Sequence, residues 1–250
     1  MLLTFAVMLG LAVGSFLNVL VLRLQASQTL AGRSHCPRCQ HQLPWYHNIP
    51  VLSFIWLHGR CGFCQLSISW QYPLVELSTG LLFGLGAAKF GDWGVPTFLT
   101  YLVVVSFAVT LFVYDFKYQL LPDSLTLPGV VIIAALNLWR GLSWFSLLWG
   151  AGLAASFFAL QFWLSRGRWI GAGDIRLGLW LGVALAWPQT VVALVLAYWV
   201  GAVVGLSLVL VGRRHFQSEL PFGTFLTAAT VVTFLWGQVI WDWYMGVLGF

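Results

Sequence analysis

The chain has 250 residues, of which 60% are hydrophobic and only 8% are charged. Soluble globular domains carry about 25% charged residues, so this composition excludes that class and indicates a membrane protein. The net charge is +5, but the twelve basic residues are scattered over short connectors and form no nucleic-acid-binding face. The partner that composition predicts is therefore the lipid bilayer and not a nucleic acid.

The first apolar run, from Met1 to Leu22, is predicted to be a retained membrane span. No basic residue precedes it, and the first charge, Arg23, follows it. A secretory signal peptide has the opposite arrangement, with a basic region ahead of the apolar one.

The apolar runs predict an all-α polytopic membrane protein, because a spanning helix needs about 20 apolar residues. We predict eight spans, at residues 2–22, 71–89, 96–114, 124–139, 143–164, 174–187, 189–211 and 222–241. The fourth is short. The division between the sixth and seventh rests on Trp187-Pro188, since proline disfavours helical continuation. Seven spans therefore remain an alternative.

The distribution of positive charge predicts the orientation, because cytoplasmic connectors are rich in Lys and Arg. With eight spans, ten basic residues fall on one side and only Lys89 and Arg140 on the other. The ten are Arg23, Arg33, Arg38, Arg60, Lys117, Arg166, Arg168, Arg176, Arg213 and Arg214. We expect the first side to be cytoplasmic, both termini to lie outside, and Asp115, Asp123 and Asp174 to lie at the cytoplasmic edge.

The loop between the first two spans, residues 23–70, holds all four cysteines. They form two CxxC pairs, Cys36/Cys39 and Cys61/Cys64, separated by twenty-one residues. Paired CxxC turns are typical of zinc sites, although this gap is one residue longer than usual. Four thiolates would complete a tetrahedral shell, so such a zinc ion would be structural.

Two disulfides are the alternative to zinc, but disulfides rarely persist in the reducing compartment that the charge bias predicts. Histidines of the same loop are rival ligands. They are His35, His41, His47 and His58. We expect them to be solvated loop residues, because four thiolates already fill the shell.

Two aspartates are the candidate catalytic groups. Asp174 follows Gly171 and Gly173, which would allow a second backbone or a substrate to approach it closely. Asp115 follows the third predicted span, so it would lie at the same depth in the membrane as Asp174. Ionisable groups at this depth are costly and are usually functional. Two carboxylates in one site share a proton, so one can activate water while the other protonates a carbonyl oxygen. The alternative for a lone aspartate is a helix cap.

Other polar groups have weaker interpretations. We expect Asp123 to cap the helix that follows it. Glu76 lies inside the second span and is either a partner for a basic group or substrate amine, or a snorkelling or hydrogen-bonded packing residue. Gly14 and Ser15 suit close helix packing, and Asn18 is expected to hydrogen-bond across to the catalytic helices.

These motifs together resemble the bacterial type IV prepilin peptidases, which are GxGD-class intramembrane aspartic proteases. The segments that carry the resemblance are Gly14 to Asn18, the two CxxC turns with Asn48-Ile49-Pro50 between them, Ile68 to Glu76, Asp115 with Leu121 to Pro128, and Gly171 to Asp174. They run through most of the chain in the family's order. GxGD alone would be weak evidence.

The resemblance implies that Asp115 and Asp174 are catalytic, since Asp115 lies eight positions before the aspartate of Leu121-Pro122-Asp123. It implies as substrate a prepilin or pseudopilin of a type IV pilus or type II secretion system. The short basic leader of that substrate is cut off at the cytoplasmic membrane face. It also implies N-methylation of the new N-terminus with S-adenosylmethionine. The domains it implies are a first transmembrane helix (1–22), a zinc-binding loop (23–70) and a peptidase core (71–250).

Two positions depart from the family pattern. Arg176 replaces the usual lysine, which keeps the charge but changes its shape, and Ile170 replaces methionine. No GxGxxG fingerprint marks a site for S-adenosylmethionine. An ion-coupled transporter that relays protons through its carboxylates is the alternative function, and a membrane scaffold with a zinc loop is a weaker one. A transporter would place its acids near the midplane of the bilayer and would show repeated halves. Here the paired acids are predicted at one face of the membrane, and the sequence shows no repeat.

Overall fold

The computed structural model of the protein describes residues 1–212 and 220–248. This part of the chain is helical apart from loops and two isolated β-bridges. The predicted cytoplasmic charges Arg213 and Arg214 lie outside the described residues. The chain divides into two compact units, Met1–Gly94 and Val95 onward.

The first unit contains two long helices joined by the cysteine loop. Helix α1 spans Leu2–Gln25 and α3 spans Gln71–Phe90, and the loop between them holds a 3-10 turn at Trp45–Asn48 and the short helix α2 at Leu52–Trp56. The two long helices pack closely because α1 presents glycines to α3. A Cβ at Gly10 would lie 2.7 Å from the carbonyl oxygen of Thr79, and one at Gly14 would lie 2.8 Å from the Cα of Glu76. The predicted packing role of Gly14 is therefore confirmed.

Among its described residues, the second unit contains six helices. They are α4 Val95–Tyr118, α5 Asp123–Trp139, α6 Trp144–Ser165, α7 Ala172–Leu185, α8 Gln189–Leu210 and α9 Phe222–Leu248. Their ends follow local sequence. Ser143 caps α6 by accepting from the N–H of Phe145, and Arg166, with φ of 52°, ends that helix. Pro122 lies in extended conformation immediately before α5.

Each of the eight predicted spans corresponds to a helix, and the division at Trp187-Pro188 is confirmed, since α7 ends before it and α8 begins after it. Some predicted ends are wrong. Helix α4 continues to Tyr118, so Asp115 lies inside this helix, one turn before its end, and not in the segment after it.

Five of the described helices are long and apolar enough to cross a membrane. They are Leu2–Gln25, Val95–Tyr118, Trp144–Ser165, Gln189–Leu210 and Phe222–Val247. Helix α5 is apolar but shorter, with 17 residues. The protein is thus an all-α, multi-pass membrane protein. That all eight long helices cross the membrane remains a prediction.

Helices α6 and α7 cross at two glycines. A Cβ at Gly182 would lie 2.4 Å from the carbonyl oxygen of Gly150 and 2.5 Å from the Cα of Ala151. No side chain fits there, so the crossing brings the two backbones into contact. This contact fixes α7, the helix that carries Asp174.

Gly182→Ala should therefore destabilise the protein by about 1–3 kcal/mol, because the added methyl group forces two backbones apart. The measurement is the thermal unfolding midpoint of the purified protein in detergent. The matched control is Gly152→Ala on α6, where an added Cβ meets no atom within 4 Å. An unchanged midpoint for Gly182→Ala would contradict the crossing.

Candidate active site

Asp115 is buried in the second unit, with 5% of its surface exposed. Its Oδ2 atom accepts a hydrogen bond of 2.8 Å from the backbone N–H of Thr224, in the first turn of α9. The first N–H groups of a helix lack partners within the helix, and the helix dipole makes that end positive. The start of α9 therefore stabilises negative charge on a carboxylate that has little access to water.

Asp174 occupies the first turn of α7. Its Oδ2 accepts from the backbone N–H of Gly171 at 3.0 Å, and its own N–H donates to the carbonyl oxygen of Gly171 at 3.1 Å. This reciprocal pair caps the helix and holds the carboxylate at its N-terminus. The side chain is intermediate in exposure.

The two aspartates lie in the same region of the second unit. The charge of Asp174 acts on Asp115. The start of α9 lies against Asp115 and against α7, because a Cβ at Gly223 would lie 2.9 Å from Oδ2 of Asp115 and 3.3 Å from Leu177, which is one turn after Asp174. Where two carboxylates interact in this way, each disfavours ionisation of the other. Such a pair can act as general base and general acid together.

The two glycines before Asp174 have different surroundings. A Cβ at Gly173 would lie 3.2 Å from Leu121, so this glycine permits close packing of the α4–α5 connector. A Cβ at Gly171 would meet only the carboxylate of Asp174 at 3.7 Å and the N–H of Gly173. The group that approaches Gly173 is the side chain of Leu121, and the predicted approach of a second backbone or a substrate to Asp174 stays a prediction.

Asp123 does not cap a helix as predicted. The residue at the cap position is Pro122, and no side-chain hydrogen bond closes that end of α5. Asp123 instead forms an ion pair with Arg176, and both side chains are substantially exposed. This pair links the first turn of α5 to the first turn of α7, where Asp174 lies.

In the first unit, Asn18 joins α1 to α3. Its amide donates to the carbonyl oxygen of Tyr72 at 3.2 Å and accepts from Gln71 at 3.3 Å. The prediction that Asn18 forms hydrogen bonds with the helices that carry the aspartates is wrong, because its side-chain amide forms hydrogen bonds with the start of α3 instead.

Glu76 is buried, and its Oε2 accepts from the backbone N–H of Val51 at 2.8 Å. Val51 is at the centre of a tight turn with φ of 61°, which is unusual for a β-branched residue. The contact favours the interpretation of Glu76 as a hydrogen-bonded packing residue, which here anchors the cysteine loop to α3.

The four cysteines converge as the spacing predicts. All four are free thiols, and their Sγ atoms lie within 4.8 Å of one another. The two turns have the same hydrogen bonds: Gln40 donates to Cys36 and Gln65 to Cys61, each at 2.9 Å. Sulfurs of a tetrahedral zinc site are about 3.8 Å apart, given Zn–S bonds of about 2.3 Å. The cluster therefore fits a metal ion.

The thiols differ in acidity. Burial opposes ionisation of Cys61, but backbone donors at Cys64 and Phe63 outweigh it and lower its pKa to about 7. A backbone donor at Leu66 favours ionisation of Cys64, yet desolvation and hydrogen bonds to the other cysteines raise its pKa to about 11. The cluster therefore loses its first proton near neutral pH, which favours metal binding there.

Two family models match the chain. The bacterial peptidase A24 N-terminal domain matches residues 8–90, and the type IV leader peptidase family matches residues 102–206. A prepilin leader peptidase/N-methyltransferase from Aeromonas salmonicida is 35% identical over 96% of this chain and 92% of its own length. This chain belongs to the type IV leader peptidase family. The resemblance predicted from the motifs is confirmed.

Other members of the leader peptidase family are similar to this chain at comparable levels of identity. The protein of the same name from Burkholderia pseudomallei is 36% identical over 94% of this chain and 85% of its own length. That from Myxococcus xanthus is 41% identical over 84% of this chain and 64% of its own length. No solved structure matches the chain.

Sequence reasoning missed Gly223 and Thr224, which contact Asp115 from 109 residues away. The available signal was Pro221-Phe222-Gly223-Thr224 ahead of an apolar run, a pattern typical of a helix start. The pattern marks the start of α9 but gives no indication of which side chain the helix end faces.

Gly223→Ala should lower peptide cleavage by at least about tenfold, because the new methyl group would lie 2.9 Å from the Asp115 carboxylate and displace it. Cleavage of a pilin precursor by purified protein provides the measurement. Gly246→Ala is the control on the same helix, since a Cβ there meets no atom within 4 Å. Equal cleavage by both variants would rule out this role for Gly223.

Proposed function

We propose that this protein is an intramembrane aspartic endopeptidase with Asp115 and Asp174 as its catalytic pair. One observation carries the proposal: each acid accepts a hydrogen bond from a backbone N–H at the start of a helix, and neither forms an ion pair in the described part of the chain. Asp123 is set apart from them by its ion pair with Arg176.

The proposed substrate is a prepilin or pseudopilin, whose short basic leader is removed at the cytoplasmic face. Support comes from the name of the relatives, prepilin leader peptidase/N-methyltransferase. An apolar substrate helix also suits a site inside a membrane protein. The leader would remain in the cytoplasm, while the helix after it stays in the bilayer.

In the proposed mechanism, the two carboxyl groups share one proton. The ionised carboxylate removes a proton from water, and the water oxygen attacks the scissile carbonyl carbon. The protonated carboxyl group donates to the carbonyl oxygen. The tetrahedral intermediate then collapses as the amine departs with a proton, without a covalent enzyme intermediate.

The proposed topology has eight spans, both termini outside, and the aspartates at the cytoplasmic side of the bacterial inner membrane. The ten-to-two distribution of basic residues supports it. Helix α7 has 14 residues and is therefore about 21 Å long, shorter than a hydrocarbon core of about 30 Å. With its outer end at the opposite interface, its first turn would lie below the cytoplasmic surface.

The proposed domain organisation is a first span (1–22), a zinc-binding loop (23–70) and a peptidase core (71–250). The zinc ion would hold the two halves of the loop together, with Cys36, Cys39, Cys61 and Cys64 as its four ligands. A closed shell of this kind leaves no position for substrate, so the role would be structural.

The relatives' name also supports a second activity, N-methylation of the new N-terminus with S-adenosylmethionine. That cofactor carries a sulfonium cation and ribose hydroxyls, which acidic or polar groups would bind. The apolar groove between α6 and α8 offers no acidic residue and does not fit it. We assign no methyl-transfer step to particular residues.

Asp115→Asn and Asp174→Asn should each lower precursor cleavage by about 10²–10⁴-fold, because asparagine keeps the shape but cannot transfer the proton. The precursor's size on a gel reports cleavage, and the mass of the mature N-terminus reports methylation. Asp92→Asn, at an exposed position of the first unit, is the control and should cleave normally. Normal cleavage by both active-site variants would refute the assignment and leave the transporter alternative, which ion-flux measurements would test.

One zinc ion per chain should be present in protein purified under reducing conditions, as measured by mass spectrometry of the metal. Cys61→Ser should lose it, and His41→Ala, which changes a rival ligand, should keep it. Zinc affinity should weaken between about pH 8 and pH 6, because protons compete for the thiolates. Absence of zinc from the wild-type protein, or its retention by Cys61→Ser, would contradict the four-cysteine site.

A further inference from the structure

A groove of about 780 Å³ runs along the second unit between α6 and α8. Its lining includes Leu153, Phe157 and Leu160 of α6, with Val191, Val195 and Tyr198 of α8. These positions extend over eight residues of α6 and eight of α8, a rise of about 10 Å, or two helical turns. The groove is thus long enough to receive two turns of a further helix.

The groove is apolar but has polar groups along it. Ser156 lines it, and the hydroxyl of Tyr198 forms a hydrogen bond of 2.9 Å with Oε1 of Gln161. An acyl chain cannot form hydrogen bonds with such groups. A peptide can, and any backbone N–H or C=O that is not in a regular helix needs a partner inside a bilayer. Ser156 already donates to the carbonyl oxygen of Leu153 at 3.1 Å, and Tyr198 to Gln161, but each hydroxyl oxygen can still accept from a backbone N–H. These two acceptors favour a peptide over a lipid tail as the occupant.

One end of the groove reaches the aspartates. The ring of Tyr198 lies 4.9 Å from that of Phe222, which is followed directly by the Gly223 and Thr224 that contact Asp115. Tyr198 is also within electrostatic range of Asp174. At the other end, Leu153 lies near the middle of α6 and Val191 lies in the first turn of α8. The groove therefore leads from the level of the candidate active site into the apolar layer.

We propose that this groove binds the apolar helix of the substrate, at the residues that follow the scissile bond. The inference rests on the proposed peptidase function and adds the surface that aligns the substrate. A peptidase that cuts ahead of an apolar helix must hold that helix beside its aspartates, with the adjoining segment unwound. The apolar lining receives the helix, and the Tyr198–Gln161 pair lies where the unwound segment begins.

The kinetic test fills the groove with a larger side chain. Val195→Trp should raise KM for a membrane-reconstituted pilin precursor by about tenfold and change kcat by less than about twofold, because it removes binding and leaves the aspartates intact. The matched control is Val203→Trp, an exposed position of the same helix outside the groove lining, which should behave as the wild type. Equal KM values for both variants would overturn the proposal.

The second test does not depend on the tryptophan variant folding well. A photoreactive benzophenone amino acid is placed at Val195 or at Val203 of the Asp174→Asn protein in lipid nanodiscs with the precursor. Illumination should give a precursor adduct from position 195 and none from position 203. Adducts with phospholipid alone at position 195 would overturn the proposal, even if KM had risen. Failure of the wild-type protein to cleave the precursor would instead refute the peptidase function.

Discussion

Carboxylates inside a hydrocarbon layer are stable only where donors replace the lost water, and the second unit provides these donors from helix ends. Thr224 brings the N-terminus of α9 to Asp115, and the N-terminus of α7 caps Asp174 through Gly171. Neither acid needs a lysine or arginine partner. An ion pair would fix the charge of each carboxylate, whereas backbone donors support it and leave the proton free to move between the two groups.

The packing of α7 serves this arrangement. Its contact with α6 at Gly182 fixes the last turn of the helix, while Leu121 against Gly173 and the Asp123–Arg176 pair hold its N-terminal end. The guanidinium of Arg176 reaches the carboxylate of Asp123. The ion pair is exposed, so its energetic contribution is small. Its effect is to orient the helix end that carries Asp174.

The first unit uses the same kind of contact for its loop. The buried guanidinium of Arg23 donates to the carbonyl oxygens of Thr29, Ala31 and Gly32, at 2.9 to 3.2 Å, and so organises the chain as it leaves α1. Glu76 performs the corresponding role at α3 by holding Val51. The cysteine cluster therefore lies in a loop that is anchored to both helices.

The helices and the cysteine cluster could be predicted from sequence, because apolar run length and CxxC spacing are local properties. The partners of single polar residues could not. Thr224 meets Asp115 only because α9 packs beside α4, and no local pattern encodes that contact. Asp123 illustrates the same limit: its sequence context suits a cap, but its side chain pairs with Arg176, which is distant in the sequence. The predicted end of α4 was wrong because Asp115 is polar yet helical, which a hydropathy criterion treats as a boundary.

The brevity of α7 has a consequence for the access of water. Most of this helix from Leu177 to Leu185 is buried, so its sides contact other helices and not acyl chains. In the proposed topology, a helix of about 21 Å would leave its first turn in a recess that is enclosed by protein. Such a recess would supply the hydrolytic water that a carboxylate pair consumes, and would let a charged leader approach without crossing the full dielectric barrier. The neighbouring helices, and not the thickness of the bilayer, would then set how easily the reaction is hydrated.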